Sequence, residues 1–508
     1  MLKFLPSKKH NVLLWVSILV YVVYFSIFTV LRMRNTLYAS YYDLGIMHQT
    51  VYSTYKALQT GDYGRFLELT NPTGIAQIKR MAIHNDLLLA LIAPFYFIHS
   101  GPETLLVIQS FILGLGALAV FKISQYILQK LQYANVLSLG FAFSYLLYPP
   151  LQLSNIYDFH AVTLATVFLL FMFYFWLVRR YWLSLGFLLL SLLSKEQVGL
   201  VTLIFGIYLY ASMLRSTVAK NKQKKNIVFA SVIIVLSVVW FILSVFYLIP
   251  IFRGGQHFAV ARYTEFGDSP IEIIIGILTN PYSIAKIIFS KATWDYLVKL
   301  LAPVGFLPLL SPAQLLLALP EFAVNLLSKN PNMRNIIYHY TAVITPFVFI
   351  SAIYGGRKLI ELKSQISKSK TEKRKSSMVL TYLLIFALYS AYIYGPLPFA
   401  KNKNTRPLFY KQSEINDLAL WERTLKDENL KISTTGQLSP FFTSRRYFYT
   451  FSPRYYLADY VLLRLNEVFE YPEKDELIPV YQRLRNDQNF ELIYKRENFE
   501  VYKKKVKS

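Results

Sequence analysis

The stretch VLLWVSILVYVVYFSIFTVL occupies residues 12–31, near the start of the chain. It carries no charged side chain, and its length is what an α-helix needs to cross the hydrocarbon core of a bilayer. Lysines precede it, as in a secretory signal peptide, but a signal peptide has an apolar region of roughly 7–15 residues that ends at a small-residue cleavage site. Here the charged sequence RMR follows at 32–34. We therefore predict a retained first membrane span, with the N-terminus in the cytoplasm.

The composition of the whole chain agrees with a membrane protein. Of its 508 residues, 54% are hydrophobic and 16% are Asp, Glu, Lys or Arg, whereas roughly 25% are charged in ordinary soluble domains. These proportions exclude a soluble enzyme, a disordered chain and a fibrous repeat. The chain has no Cys, which excludes disulfides, iron–sulfur clusters and a cysteine nucleophile.

Further apolar runs predict an α-helical polytopic membrane protein with about 11 transmembrane helices. After the first span they lie at 104–128, 133–150, 160–178, 181–194, 196–214, 226–250, 294–310, 312–327, 338–355 and 377–395. The apolar segment 86–99 is too short to span and suits an interfacial or re-entrant helix.

The basic residues support this topology, because Lys and Arg accumulate in cytoplasmic loops. The predicted cytoplasmic segments hold 20 Lys and Arg in 59 residues, and the predicted external segments between spans hold 12 in 136. A full span at 86–99 would invert the order and place the lysine-rich runs 220–225 and 368–375 outside. The net charge of +25 is therefore mostly a topology signal. It predicts contact with lipid headgroups and no nucleic-acid partner.

The composition changes near residue 396, which predicts two domains. Residues 1–395 form a transmembrane domain whose first external loop is 32–103, and residues 396–508 form a small, polar α/β domain. In this tail we predict strands at 431–434, 447–451, 460–463 and 492–494 and helices at 411–427 and 474–487. An odd number of spans places the tail outside the plasma membrane, opposite the N-terminus.

Ionisable residues near the membrane are candidates for function, because burying them there is unfavourable. Most of the histidines and several charged residues fall at the predicted external ends of spans. The candidates are Asp43, His48, His84, Asp86, Asp158, His160, Lys195, Glu196, Arg334 and His339.

Each candidate has a structural alternative. Asp43, in YYDLGIMHQ (41–49), suits a general base that takes a proton from an incoming hydroxyl or amide, assisted by His48. It also suits the N-cap of a helix that begins at Leu44. Asp86 begins the interfacial segment and has the same capping alternative.

The remaining candidates suit ligand binding. Asp158 and His160 suit a divalent metal or a hydroxylated substrate, or a hydrogen bond to each other. Lys195 suits a phosphate contact, or an ion pair with Glu196 at a helical hairpin. Arg334, near His339 at the outer start of the span 338–355, suits a phosphate or a lipid headgroup.

These regions are similar, in order and spacing, to a domain-of-unknown-function family of bacterial and archaeal polytopic membrane proteins related to the GT-C glycosyltransferases. The similar stretches are YYDLGIMHQ (41–49), HNDLLLALIAPFYFI (84–98), IYDFHAVTLAT (156–166), LLSKEQVGL (192–200), LALPEFAVNLLS (317–328), YHYTAVITPFVFISAIYG (338–355), ISTTGQLSPFFTSRRYFYTF (432–451) and ADYVLL (458–463).

The resemblance implies a GT-C-like fold and places Asp43 where those enzymes carry a catalytic Asp in the first external loop. Leu44 stands where many relatives have a second acidic residue. The implied donor is a sugar on polyprenyl phosphate, and the implied reaction transfers it to an extracytoplasmic acceptor with inversion. The alternatives are a transporter or flippase of a lipid-linked substrate, or a non-catalytic scaffold. Cofactors stay open, with a divalent metal as one option.

Overall fold

The computed structural model describes residues 8–36, 41–214, 220–361, 368–403 and 411–505, and most of them are helical. Parts of two predicted cytoplasmic segments (215–219 and 362–367) and part of the predicted tail domain (404–410) lie outside the described residues. The α-helices before the tail are α1 Lys8–Thr36, α2 Asp43–Thr60, α3 Leu88–Ile92, α4 Glu103–Ile127, α5 Ala134–Leu146, α6 Pro149–Tyr157, α7 Ala161–Leu177, α8 Tyr181–Leu192, α9 Val198–Leu214, α10 Lys220–Ile242, α11 Ile249–Arg253, α12 Pro270–Thr279, α13 Pro281–Ile288, α14 Lys291–Leu301, α15 Pro312–Leu315, α16 Leu319–Leu326, α17 Thr345–Glu361 and α18 Lys368–Tyr394.

Five helical segments are long and apolar enough to cross a membrane. They are Lys9–Asn35, Glu103–Ile127, Ala134–Tyr157, Lys224–Arg253 and Glu372–Tyr394. Helices α7, α8 and α9 are apolar but shorter. Helices α12 and α13 together are also long and apolar enough, but they are bent by 83° relative to each other. The count of about 11 spans stays a prediction.

The prediction of one continuous helix over each of 294–310 and 312–327 is wrong. Helix α14 ends at Leu301, and the chain then passes through Gly305 and Phe306, whose φ values are +61° and +52°. Such left-handed residues end a right-handed helix. Prolines recur through both stretches, and each one removes a backbone donor from the helical hydrogen-bond ladder. Short α-helices and 3₁₀ turns result, although the apolar composition of both runs resembles that of a span.

One large apolar core holds the membrane helices together, with residues from α1, α4, α5, α7, α9 and α17 among others. Helices α4 and α5 approach closely at Gly116, where an added Cβ would overlap the Tyr145 hydroxyl. That hydroxyl donates a hydrogen bond to the carbonyl oxygen of Leu113, at 3.1 Å. A second apolar core joins α2 and α3 to α7 and to the tail.

The segment predicted to be the first external loop is therefore packed against the rest of the protein. Helix α2 is mostly buried, and it packs between α3 and the tail through the second core. The short hairpin of β1 Glu68–Thr70 and β2 Gln77–Lys79 is antiparallel and follows α2. The segment predicted as an interfacial helix, 86–99, forms α3 and a 3₁₀ turn that ends at Phe97.

The tail contains a five-stranded mixed sheet in the order β4-β3-β5-β7-β6. Strand β3 runs parallel to β4 and β5, whereas β7 is antiparallel to β5 and β6. Each of the four predicted strands has a counterpart, and β7 is additional. That residues 396–508 form a separate extracytoplasmic domain stays a prediction. The tail elements are α19 Gln412–Thr424, β3 Ile432–Thr434, α20 Ser439–Phe442, β4 Phe448–Thr450, β5 Tyr460–Arg464, α21 Leu465–Phe469, α22 Lys474–Asn486, β6 Phe490–Arg496 and β7 Phe499–Lys504.

Candidate active site

A cavity of about 220 Å³ lies beside the N-terminus of α2 and collects polar side chains from distant parts of the chain. Six predicted site residues line it, together with two arginines that the sequence analysis did not select. The charged and histidine side chains of the lining are Asp43, Arg80, His84, Asp86, His160, Lys195, Arg262 and His339.

Asp43 is the first residue of α2, and its side chain is 47% exposed. The N-cap position belongs to Tyr42, and no side-chain oxygen caps the helix there. The alternative interpretation of Asp43 as an N-cap is therefore wrong. The nearest basic atom is Nε2 of His160, 3.6 Å from the carboxylate, which is too far for a normal hydrogen bond. Among the described residues no side chain forms a hydrogen bond with this carboxylate, which lines the cavity.

Asp86 forms a closed pair with Arg80. The guanidinium donates from Nε to Oδ1 at 2.9 Å and from Nη2 to Oδ2 at 2.8 Å, and both side chains are almost completely buried. The N-cap of α3 is Leu87, without a side-chain hydrogen bond, so the capping alternative for Asp86 is wrong as well. The pair fixes one wall of the cavity and neutralises its own charge.

Glu196 fixes the orientation of the His84 ring through a hydrogen bond. Nδ1 of His84 donates to Oε1 of Glu196 at 2.8 Å, and the backbone N–H of Asn85 donates to Oε2 at 3.0 Å. Burial lowers the pKa of His84 to about 3, so the ring is neutral. Because Nδ1 carries the proton, Nε2 keeps a lone pair. His84 thus presents an acceptor nitrogen as part of the cavity lining.

His257, which was not among the predicted site residues, also contacts Glu196. Its Nε2 lies 3.1 Å from Oε1 of Glu196. Among the described residues, His84, Glu196 and His257 form the one set of His, Asp and Glu side chains close enough to hold a metal ion. However, Nδ1 of His257 accepts a hydrogen bond from the backbone N–H of Ala259, so its Nε2 carries a proton and donates to Glu196. Both rings therefore direct an N–H group at the carboxylate, where a metal would need lone pairs, and the set does not fit a resident metal.

Lys195 and Arg262 are the two cations of the cavity that no described carboxylate pairs with. Lys195 is buried, and burial lowers the pKa of its ammonium, against the opposing attraction of Glu196. The alternative of a Lys195–Glu196 ion pair is not observed in the described part of the chain, because Glu196 bonds to the histidines. The guanidinium of Arg262 lies over the ring of Phe258, 5.4 Å from its centroid. Both cations can therefore pair with an anionic ligand in the cavity.

His160 and His339 stack on each other, with ring centroids 3.8 Å apart and 22° between the ring planes. Both line the cavity. Their contact brings the loop before α7 against the turn before α17, so two predicted site residues that are far apart in sequence meet here.

The other candidates lie outside the cavity lining. His48 is completely buried, and its Nδ1 and Nε2 bond to the hydroxyls of Tyr96 and Ser444 at 2.8 and 2.9 Å. It joins α2 to the tail and does not line the cavity. Asp158 is buried, and its backbone carbonyl accepts a hydrogen bond from Gln109. Among the described residues, Asp158 and His160 are not part of a metal-binding group. Arg334 is not part of the lining either, and the cavity contains the guanidinium of Arg262 instead.

Residues 34–502 match a family of predicted membrane proteins, DUF2079. The chain belongs to the DUF2079 family. The family resemblance seen in the sequence is thereby confirmed. A sequence comparison of this DUF2079 protein with curated proteins gives no match.

Solved structures of GT-C glycosyltransferases are similar to this DUF2079 protein in fold. ArnT from Cupriavidus metallidurans, in the apo state, has a TM-score of 0.50 and 11% identity, covering 94% of this chain and 97% of ArnT. The Archaeoglobus fulgidus oligosaccharyltransferase gives 0.47 and 10%, covering 94% and 73%. The mycobacterial arabinofuranosyltransferase AftD gives 0.44 and 11%, covering 99% and 40%. The relation to the GT-C fold is shown by ArnT, and at such identity the likeness concerns the fold alone.

Proposed function

We propose that this DUF2079 protein is an integral-membrane glycosyltransferase that moves a sugar from a polyprenyl-phosphate donor to an extracytoplasmic acceptor, with inversion. One observation supports this most: the carboxylate of Asp43 shares a cavity with Lys195 and Arg262, two cations that form no ion pair with a described carboxylate. A base and an anion site in one cavity are what a displacement of a phosphate leaving group requires.

In the proposed reaction, the acceptor hydroxyl gives its proton to Asp43 as its oxygen attacks the anomeric carbon. The bond between that carbon and the phosphate oxygen breaks, and polyprenyl phosphate leaves. Lys195 and Arg262 stabilise the charge that develops on the phosphate. A single displacement inverts the anomeric centre, through a transition state with oxocarbenium character. No step needs a metal.

Glu196 and the Arg80–Asp86 pair have positioning roles in this proposal. Glu196 fixes the tautomer of His84, so that the lone pair on Nε2 accepts a hydrogen bond from a sugar hydroxyl. The Arg80–Asp86 pair keeps the opposite wall rigid. The sugar, the acceptor and the surrounding lipid are the partners of the site, and we place it on the extracytoplasmic side, with the N-terminus in the cytoplasm.

A transporter or flippase is the second candidate, and one observation favours it. Glu321 is buried within the segment 312–327 and accepts a hydrogen bond from Nε2 of Gln197, at 2.7 Å. A titratable carboxylate inside a predicted membrane segment is typical of proton-coupled carriers. This candidate makes Glu321 the essential acid and leaves Asp43 without a chemical role.

The two candidates differ in their product. Purified protein is incubated with a panel of polyprenyl-phosphate hexoses and pentoses and a mixture of envelope acceptors, and both transferred sugar and released polyprenyl phosphate are measured. The transferase proposal expects transfer from at least one donor, with Lys195→Gln raising KM for that donor and Asp295→Asn, an exposed control on α14, changing nothing. Movement of the donor across a liposome membrane that needs Glu321, without any sugar transfer, would contradict it.

A further inference from the structure

A second cavity, of about 650 Å³, shares no lining residue with the first. Three cations line it, Arg32, Lys299 and Lys403, and the described lining contains no Asp or Glu. We call it the cationic cavity. Positive charge gathered in a concave site attracts anions and raises their local concentration.

The cations come from three separate elements. Arg32 lies near the end of α1, is buried, and its guanidinium donates to the carbonyl oxygen of Ile156. Lys299 lies on α14 and is half-buried, and Lys403 is exposed beyond the end of α18. In the described part of the chain, neither lysine forms an ion pair. Two ammonium groups are therefore available to a ligand beside a fixed guanidinium.

The rest of the wall is mainly apolar. Leu153, Ile156, Ile336, Ile337 and Ile393 contribute to it. A soluble anion such as inorganic phosphate would leave this surface exposed to water, whereas an anion carried on a hydrocarbon chain would cover it. Burying apolar surface contributes roughly 25 cal/mol per Å², so the walls favour an amphiphile.

The location agrees with this ligand. Arg32 lies near the end of the span Lys9–Asn35, and Tyr394 ends the span Glu372–Tyr394. The cationic cavity thus lies where two membrane helices end, at the level of lipid headgroups. It also adjoins the first cavity, because the ring of Tyr157 in its wall stacks on His160, at 5.9 Å.

We propose that the cationic cavity binds a phosphate group carried on an apolar chain, as a site separate from the one around Asp43. The phosphate lies between Lys299, Lys403 and Arg32, and the chain lies along the isoleucines. The two sources of this chemistry are a polyprenyl phosphate and a membrane phospholipid. The inference goes beyond the proposed transfer reaction and does not depend on it.

Binding of radiolabelled farnesyl phosphate to the full chain in detergent tests the proposal. Lys195→Gln/Arg262→Gln serves as the background, so that the cavity around Asp43 does not contribute. Lys299→Gln/Lys403→Gln should weaken binding about tenfold or more, since each lost contact is charge-assisted. The matched control is Lys291→Gln/Lys401→Gln, which removes two exposed lysines from the same two regions without touching the lining.

Equal affinity in both double variants would overturn the proposal. Farnesol that bound as tightly as farnesyl phosphate would also overturn it, because the cations would then have no role in binding. Inorganic phosphate that bound as tightly would overturn it as well, because the apolar walls would then have no role. Dioctanoyl phosphatidylglycerol identifies the source. Binding as tight as that of farnesyl phosphate supports a site for phospholipids, and weaker binding supports a site for single-chain phosphates.

Discussion

Replacing Asp86 by Asn tests whether the buried ion pair holds the cavity wall. Arg80 and Asp86 are 3% and 4% exposed, and two hydrogen bonds of 2.8–2.9 Å join them. Asp86→Asn removes the negative charge and leaves the guanidinium buried with a neutral partner. Breaking a buried pair in this way is typically destabilising by about 3–5 kcal/mol. Because Asn keeps one acceptor oxygen, we expect a loss near the lower limit, about 3 kcal/mol.

The assay is denaturant-induced unfolding of the purified protein in detergent, followed by tryptophan fluorescence. Asp295→Asn removes an exposed carboxylate and should change the free energy of unfolding by less than about 0.5 kcal/mol. Arg80→Met/Asp86→Leu removes both charges and should recover most of the loss, because no uncompensated charge stays buried. Added phosphate should stabilise Asp86→Asn more than the parent, since Arg80 would then bind an anion in the cavity.

Two results would refute this reasoning. If Asp86→Asn unfolded like Asp295→Asn, the pair would not stabilise the fold. If the double variant were as unstable as the single one, the loss would come from the shape of the side chain rather than from its charge.

Three further predictions concern packing, pH and topology. Gly116→Ala should lower the midpoint of thermal unfolding by several degrees, because the new methyl group overlaps Tyr145; an unchanged midpoint would contradict the packing of α4 on α5. Burial raises the pKa of Glu467 from 4.5 to about 7, so the folded protein holds this proton more tightly. The parent should therefore lose up to about 3 kcal/mol of stability between pH 4.5 and 7 and no more above pH 7, whereas Glu467→Gln should lack this loss; identical pH profiles would contradict it. Reporter fusions after Lys375 and after Ser508 should report opposite sides of the membrane, and the same side for both would overturn the proposed topology.

Much of the fold was predictable because long apolar runs have few other solutions in a membrane protein. The exceptions are informative. The mean hydropathy of the run 294–310 resembles that of a membrane span. However, Gly305 and Phe306 adopt left-handed conformations, which a continuous helix does not allow. Hydropathy averages do not detect such a local break, whereas the frequent prolines of this region were a usable signal.

The site was predictable in part. Asp43, His160 and Lys195 were selected because they lie at the same predicted ends of spans, and the structure brings them to one cavity. Arg262 was missed because an arginine in a predicted external loop resembles an ordinary surface charge. The contact of His48 with Ser444 could not be predicted, because 396 residues separate the two and a contact of that range leaves no local pattern.

Asp43 is the centre of the account, and single-turnover sugar transfer tests it most directly. Once the donor screen has identified a donor, excess purified protein is mixed with that labelled donor and acceptor, and the transfer rate and the donor Kd are measured separately for the parent and for Asp43→Asn. The amide is nearly isosteric but cannot take up the acceptor proton, and general-base assistance is typically worth 10²–10⁴-fold. We predict a transfer rate lower by about that factor, with the donor Kd unchanged. Transfer by Asp43→Asn at the parent rate would contradict the proposed mechanism.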